Sequence, residues 1–211
     1  MRPDSQAEAV ITPRIGAVVL AAGASTRMGY PKQLIVHEGE PLVRRAAIAA
    51  VEAGADPVVV VLGANAPSIA PALYGLASVT TVVNHKWSEG LASSLAAGLR
   101  ALDDATPYDA VLVTLADQPL VDATALARLM SAFDKEHRII ASAYDETIGV
   151  PAVFAREYVA DLLVLRGDAG AGRWLRSRSD EVTSIVLGVA ALDIDTPAET
   201  ARLNGETRVT N

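Results

Sequence analysis

Arg27 and Lys32 close a stretch of mostly small residues, GAVVLAAGASTRMGYPKQL, that runs over 16–34. Ala21, Ala22 and Gly23 let a ligand lie against the backbone, where N–H groups face an anion. Ser25 adds a hydroxyl donor. Arg27 offers a planar fork for phosphate oxygens, and Lys32 a compact charge. With Leu20 ending the apolar run, this is a cradle for a polyphosphate. The plainer reading is a small-residue turn with two solvated basic side chains. Neither common phosphate motif fits. Five residues separate Gly23 from Gly29 and Tyr30 follows, unlike a P-loop, and G-x-G-x-x-G is absent.

Three later stretches also carry chemistry. NHKWSEGLASSL, over 84–95, leaves a strand and enters a helix at Gly90. Backbone groups there, with Ser93 and Ser94, could read the edge of a base; equally, Trp87 could pack and the serines cap. LADQPLV, over 115–121, places Asp117 after an apolar run. A carboxylate there can hold Mg²⁺, a hard ion that prefers oxygen, or it can close its own turn. DIDTPAE, over 193–199, offers Asp193 and Asp195. Its plain role is a helix start, with Thr196 or Asp195 as cap and Pro197 and Glu199 in the first turn.

The elements that must position these residues alternate. Continuous apolar runs predict buried strands over 15–21 and 57–62, with further strands over 79–83, 109–115, 138–143, 150–154 and 181–187. Helical patterns fall over 42–53, 67–73, 91–102, 122–135 and 198–203, with Gly54 as a stop and Asp122 as an N-cap. This order predicts an α/β fold, a mainly parallel sheet with helices on both faces. Ligands of such sheets sit beyond the carboxyl ends of the strands, which is where the loaded stretches lie. We expect a loose lead-in over 1–13, one domain over 14–205 and a tail over 206–211.

Composition narrows the function. The 211 residues are half apolar and carry a net charge of −7 with no basic run, which argues against nucleic acid and anionic membranes as partners. There are no cysteines, so disulfides and thiolate metal sites are excluded. His37, His85 and His137 are scattered and read as ordinary residues. The N-terminal stretch carries acids and lacks an apolar core, so it does not read as a signal peptide. No stretch reads as a membrane span, and the expected location is the cytoplasm.

The first loop, L-A-A-G-x-S-x-R-M-G-x-x-K, resembles the signature of nucleotidyltransferases that load a nucleotide onto a phosphorylated acceptor. With N-x-x-W-x-x-G-x-x-x-S at 84–94, LADQP and DIDTP, the pattern is most similar to the molybdenum cofactor cytidylyltransferase branch of the MobA-like family. The resemblance implies a single-domain, three-layer Rossmann-like fold. It implies that Leu20, Ala21, Ala22, Gly23, Ser25, Arg27, Lys32, Asn84, Gly90 and Ser94 bind the nucleotide. It makes Arg27, Lys32 and Asp117 catalytic, and Asp117 and Asp195 the Mg²⁺ ligands, with Asp195 preferred over Asp193.

The same resemblance implies an acceptor side. Gly149, Pro151 and Phe154 match G-x-P-x-x-F, and LRGDAGAGRWL matches a Gly-Asp-x-Gly-Ala-Arg segment. There Gly172 stands in place of arginine and Arg173 follows one residue later. Gly149, Pro151, Asp168 and Arg173 are thus the expected acceptor residues. Ala22, where guanylyl-transferring relatives have glycine, favours CTP. The implied reaction moves CMP from CTP onto a phosphorylated pterin, and a molybdenum hydroxylase would receive the product. A sugar or polyol phosphate acceptor, or a non-catalytic cofactor carrier, are the alternatives.

Overall fold

Every side chain of β1 (Ile15–Ala21) is buried, so this strand needs a neighbour on each edge and cover on each face. It pairs in parallel with β4 (Val58–Leu62) on one edge and β6 (Ala110–Leu115) on the other. β5 (Val79–Val83) extends the sheet beyond β4, also parallel. On the far side β8 (Thr147–Ala155) runs antiparallel to β6 and to β7 (Ile139–Tyr144), and β9 (Thr183–Val186) lies parallel to β7. The order is β5-β4-β1-β6-β8-β7-β9. The computed structural model describes residues 12–196, 199, 200 and 203.

Alternation along the strands builds the layers. Ala17, Val19 and Ala21 face α1 (Leu42–Glu52), α2 (Ala66–Ile69) and α4 (Ala123–Ser131), meeting Val43, Ile69 and Leu126. Val18 and Leu20 face α3 (Leu91–Asp103), α5 (Val159–Leu163) and α6 (Ala171–Arg176), meeting Leu95, Leu162 and Trp174. The expected three-layer, mainly parallel architecture is the one observed. No helix among the described residues is long and apolar enough to cross a membrane.

Some boundaries differ from the sequence expectation. The strand expected at 150–154 starts at Thr147, because a two-residue turn folds β7 onto β8. Its residues Asp145 and Glu146 have φ of 46° and 59°, the geometry that matches hairpin twist. The helix expected to reach 135 stops at Ser131, where the Asp134 carboxylate takes the amides of Glu136 and His137 into a turn. Asp122 does cap α4, accepting from the Ala125 amide at 2.8 Å. A short ribbon of β2 (Val36–His37) and β3 (Glu40–Pro41) was not expected. Of the helix expected over 198–203 only Glu199, Thr200 and Leu203 are described, all helical; residues 1–11 and the 206–211 tail lie outside the described residues.

α3, which leads into the site, lies tight on the sheet. A Cβ at Gly98 would come within 2.4 Å of Val18 Cγ1 and 2.7 Å of Val61 Cγ2. Gly98→Val should therefore destabilise the protein by about 1–3 kcal/mol through overpacking. Denaturant unfolding checks this, and an unchanged midpoint would contradict the packing described.

Candidate active site

The loop after β1 is folded by one buried amide. Gln33, 2% exposed, donates from Nε2 to the carbonyls of Ala21 (3.0 Å) and Gly23 (2.8 Å). Ser25 joins it: its hydroxyl accepts from the Lys32 amide at 3.0 Å and donates to Gln33 Oε1 at 3.3 Å. Ser25, expected to meet the nucleotide, is thus engaged in tying the loop. Ala22 O accepts from Ala64 N at 3.1 Å, and the neighbouring Gly63 has no room for a side chain. A Cβ there would lie 2.6 Å from Ala22 O and 2.7 Å from Trp87 Cβ. Gly23 is the opposite case, with nothing within 4 Å of a would-be Cβ.

That open side of Gly23 is a cleft of about 430 Å³. Leu20, Ala21, Ala22, Gly23 and Lys32 form one wall, and the β6 end through Asp117 forms its floor. Trp87, Gly90 and Ser94 form the other wall, together with Asp168. Three of the four stretches therefore meet at this cleft, although they are far apart in sequence, and the fourth joins them through Asp195 and Lys32.

The charged end of the cleft is organised around Lys32. Its Nζ lies 2.5 Å from Asp117 Oδ2 and 2.6 Å from Asp195 Oδ1. Arg27 Nη2 reaches Asp195 Oδ2 at 2.6 Å from the solvent side. Burial alone would lower the Lys32 pKa, but the Asp117 and Asp195 carboxylates outweigh it and hold it above its ordinary value. The Lys32 hydrogen bond holds Asp195 below the usual carboxylate range. Asp193 keeps a solvent-open side, yet crowding protein atoms and the Asp117 charge push its carboxyl up to about 6.

One backbone and one side-chain hydrogen bond tie the Asp117 stretch to the 190–195 segment. Ile194 N donates to Asp117 O at 2.9 Å, and Gln118 Nε2 donates to Ala190 O at 2.9 Å. The helix-start reading of DIDTPAE is also realised. Glu199 takes the amides of Asp195 and Thr196 at 2.8 and 2.7 Å, and the Thr196 hydroxyl accepts from Glu199 N at 3.4 Å, a reciprocal capping arrangement. Thr196 caps, which leaves the Asp195 side chain to the basic pair.

A divalent cation fits this donor set. Asp117 Oδ1 is buried without a hydrogen-bond partner, an arrangement that costs free energy unless something binds there. The Lys32 ammonium already places a positive charge between the two carboxylates. Among the described residues no three His, Cys, Asp or Glu side chains group to hold a metal by themselves. Mg²⁺ commonly takes one or two carboxylates and completes its shell with substrate phosphates and water.

The opposite wall is built by Asn84 and Gly90. Asn84 is buried, donates to Ser93 Oγ (2.9 Å) and Ser94 Oγ (3.0 Å), and accepts from the Lys86 amide. It orders the helix entry from behind the cleft wall. Gly90, at φ 102°, is overlain by the 167–168 peptide: a Cβ there would lie 2.3 Å from Gly167 C. Ala92 N donates to Gly167 O at 3.0 Å. This contact carries Asp168, expected on the acceptor side, to the nucleotide cleft.

The other expected acceptor residues do not line that cleft. Gly149 and Pro151 are buried in β8; a Cβ at Gly149 would meet Tyr144 Oη at 2.4 Å, and Pro151 O accepts from Ser142 at 2.6 Å. Phe154 is fully buried, its ring edge-on to Trp174 at 5.7 Å, so it packs the core instead of facing a ligand. Arg173 is exposed on α6. Sequence reasoning passed over Gln33 and Gly63. A polar residue just beyond the basic Lys32 and a glycine immediately after a strand were the available signals.

A Rossmann-like sheet with a phosphate-suited loop opposite paired carboxylates is an arrangement suited to handling a nucleotide. The chain belongs to the MobA-like NTP transferase family, whose domain matches residues 17–182. That family assignment makes it a nucleotidyltransferase. It is 37% identical over 176 residues to nicotine blue oxidoreductase of Paenarthrobacter nicotinovorans, covering 79% of this chain and 83% of that protein. It is 35% identical over 147 residues to the bifunctional protein GlmU of Anaeromyxobacter dehalogenans, covering 67% of this chain but 29% of GlmU. Rv0371c of Mycobacterium tuberculosis H37Rv superposes with a TM-score of 0.77 at 30% identity, over 92% of this chain and 98% of that one. A complex of Rv0371c with manganese is also known and aligns with a TM-score of 0.72 at 28% identity, over the same shares of the two chains.

The two ion pairs of the cluster should differ in strength. Lys32 and Asp117 are 14% and 21% exposed, whereas Arg27 is 70% exposed. A double-mutant cycle with Lys32→Met and Asp117→Leu should give a coupling of about 1–3 kcal/mol in unfolding free energy. The Arg27→Met, Asp195→Leu cycle should give less than about 1 kcal/mol. Equal couplings would contradict the burial-based ordering.

Proposed function

We propose that the protein transfers CMP from CTP to the terminal phosphate of molybdenum-loaded molybdopterin. An acceptor phosphate oxygen forms a bond to the α-phosphorus of CTP, the bond from that phosphorus to the β-phosphate bridging oxygen breaks, and pyrophosphate leaves. The observation that carries the transfer chemistry is the Lys32 ammonium lodged between Asp117 and Asp195 at the mouth of the cleft.

This chemistry asks the protein for alignment, charge neutralisation and exclusion of water. Arg27 and Lys32 hold the β- and γ-phosphates, which requires both to exchange carboxylate partners for phosphate oxygens. Asp117 and Asp195 would hold Mg²⁺, which when bound supplies positive charge for the phosphates. The nucleoside lies along Ala22 and Gly23 toward Trp87 and Ser94, and Asn84 keeps that wall in place through Ser94. Ala22 supports CTP: its methyl lines the cleft and its Cβ stands 2.8 Å from a would-be Cβ at Gly63, so the wall is closed behind it. The pterin acceptor is supported by the joint pattern of the first loop, N-x-x-W-x-x-G, LADQP and DIDTP.

A second reading follows from the 37% identity to a protein named nicotine blue oxidoreductase. One fold commonly hosts different chemistries, and on this reading the cleft would serve two-electron reduction of an aromatic acceptor by an added hydride donor of the reduced-nicotinamide class, which is itself oxidised, with no pyrophosphate formed.

Pyrophosphate release, measured with Mg²⁺, molybdenum-loaded pterin and one nucleoside triphosphate at a time, separates these readings. Release is expected with CTP, and Lys32→Ala or Asp117→Asn should lower kcat by about 10²–10³-fold, as for loss of one preorganised group. Release only with a sugar phosphate would remove the pterin. No release with any triphosphate, together with reduction of an added aromatic dye by a reduced nicotinamide in a parallel assay, would favour the second reading.

A further inference from the structure

A second cavity, about 600 Å³, lies between the β7–β8 hairpin and α6. Tyr144, Asp145, Glu146, Ile148, Arg176 and Val186 line it. None of these residues was singled out by the sequence. Its position in the sheet gives it meaning. β6 and β7 are both antiparallel to β8, so they run the same way and end at the same edge. The Tyr144 end of β7 therefore stands two strands along from Asp117, about 10 Å at the usual strand spacing.

Hydrogen bonds connect the cavity to the reaction centre. The Val150 carbonyl accepts from Tyr144 Oη at 3.2 Å and from Gln118 Nε2 at 3.4 Å. Gln118 follows Asp117 directly. Asp193 lies between the two sites electrostatically. Burial, then the Asp193 charge, raises the Tyr144 pKa, which keeps the phenol neutral and donating.

Arg176 is held at this cavity and is not spent on a carboxylate. Its Nη1 donates to Ile148 O at 3.4 Å and would lie 3.3 Å from a Cβ at Gly172. Among the described residues no Asp or Glu forms an ion pair with it. The missing side chain at Gly172 is what gives the guanidinium this room, one helical turn from its own Cα. Arg173, the expected acceptor residue, lies elsewhere on α6.

We propose that this cavity seats the body of the acceptor, with Arg176 as its anchor and Asp145 and Glu146 as its acceptor groups. The inference rests on the nucleotidyl-transfer reading. A nucleoside triphosphate occupies the first cleft, so the acceptor needs its own room within reach of Asp117. The donor pattern selects a class of ligand. A ring edge with adjacent amino, N–H and carbonyl groups, as in a pterin, satisfies carboxylates and a guanidinium together. Tyr144 offers a flat face beside them. A sugar's hydroxyls can also serve these groups, but a sugar lacks the flat π face that would stack on Tyr144.

Titration of the full chain with 6-hydroxymethylpterin phosphate, followed by pterin fluorescence, tests this. Arg176→Met should weaken pterin binding at least tenfold while CTP binding, measured separately with Mg²⁺, stays within twofold. Val186→Trp, at a position 75% exposed, should obstruct the cavity without disturbing the core and give the same split. Wild-type pterin affinity in both variants would overturn the seat. Wild-type protein that binds CTP but no pterin phosphate would overturn the pterin class and leave the transferase reading standing. Protein that binds neither would overturn both.

Discussion

A half-buried ammonium needs compensation, and in this protein one ammonium holds the site together. Lys32 sits at the end of the first loop and meets Asp117, two residues beyond β6, and Asp195, 163 residues away. Each partner would be costly alone: the lysine for its burial, the carboxylates for their mutual repulsion. Together they form a charged knot in which Lys32 is held above, and Asp195 below, its usual pKa. The same knot is chemically provisional. A ligand rich in phosphate competes for the lysine, and a divalent cation competes for the carboxylates.

The scaffold makes that knot available at an open edge. Parallel pairing of β1 with β4 and β6 brings three strand ends to one side, and Gln33 holds the loop after β1 by two of its own carbonyls. Absent side chains set how closely the parts approach. Gly98 lets α3 settle on the sheet, Gly63 lets Trp87 close against the first loop, and Gly90 accepts the 167–168 peptide. These contacts define a cleft whose wall residues are small on the loop side and whose charges gather at one end.

Much of this was legible in the sequence, for physical reasons. Buried parallel strands appear as uninterrupted apolar runs, so β1, β4 and β6 were found within a residue. The first loop carries its chemistry in consecutive residues and was equally readable. The pairing of Lys32 with both carboxylates was not, because tertiary contacts between distant stretches leave no local pattern. The turn at Asp145 and Glu146 uses positive φ without glycine, so the hairpin gave no signal. Phe154 illustrates the reverse error: a motif position expected to face a ligand proved to be core. Arg176 escaped notice because one turn of helix, not adjacency, carries its guanidinium to Gly172.

The central claim is that this cleft moves a nucleotide, and label transfer tests it most directly. The wild-type protein would be incubated with Mg²⁺, molybdenum-loaded pterin and CTP labelled with ³²P at either the α or the γ position. The account predicts that α-label appears in the pterin product while γ-label leaves as pyrophosphate. Product free of α-label, with the labelled CTP left intact, would contradict it.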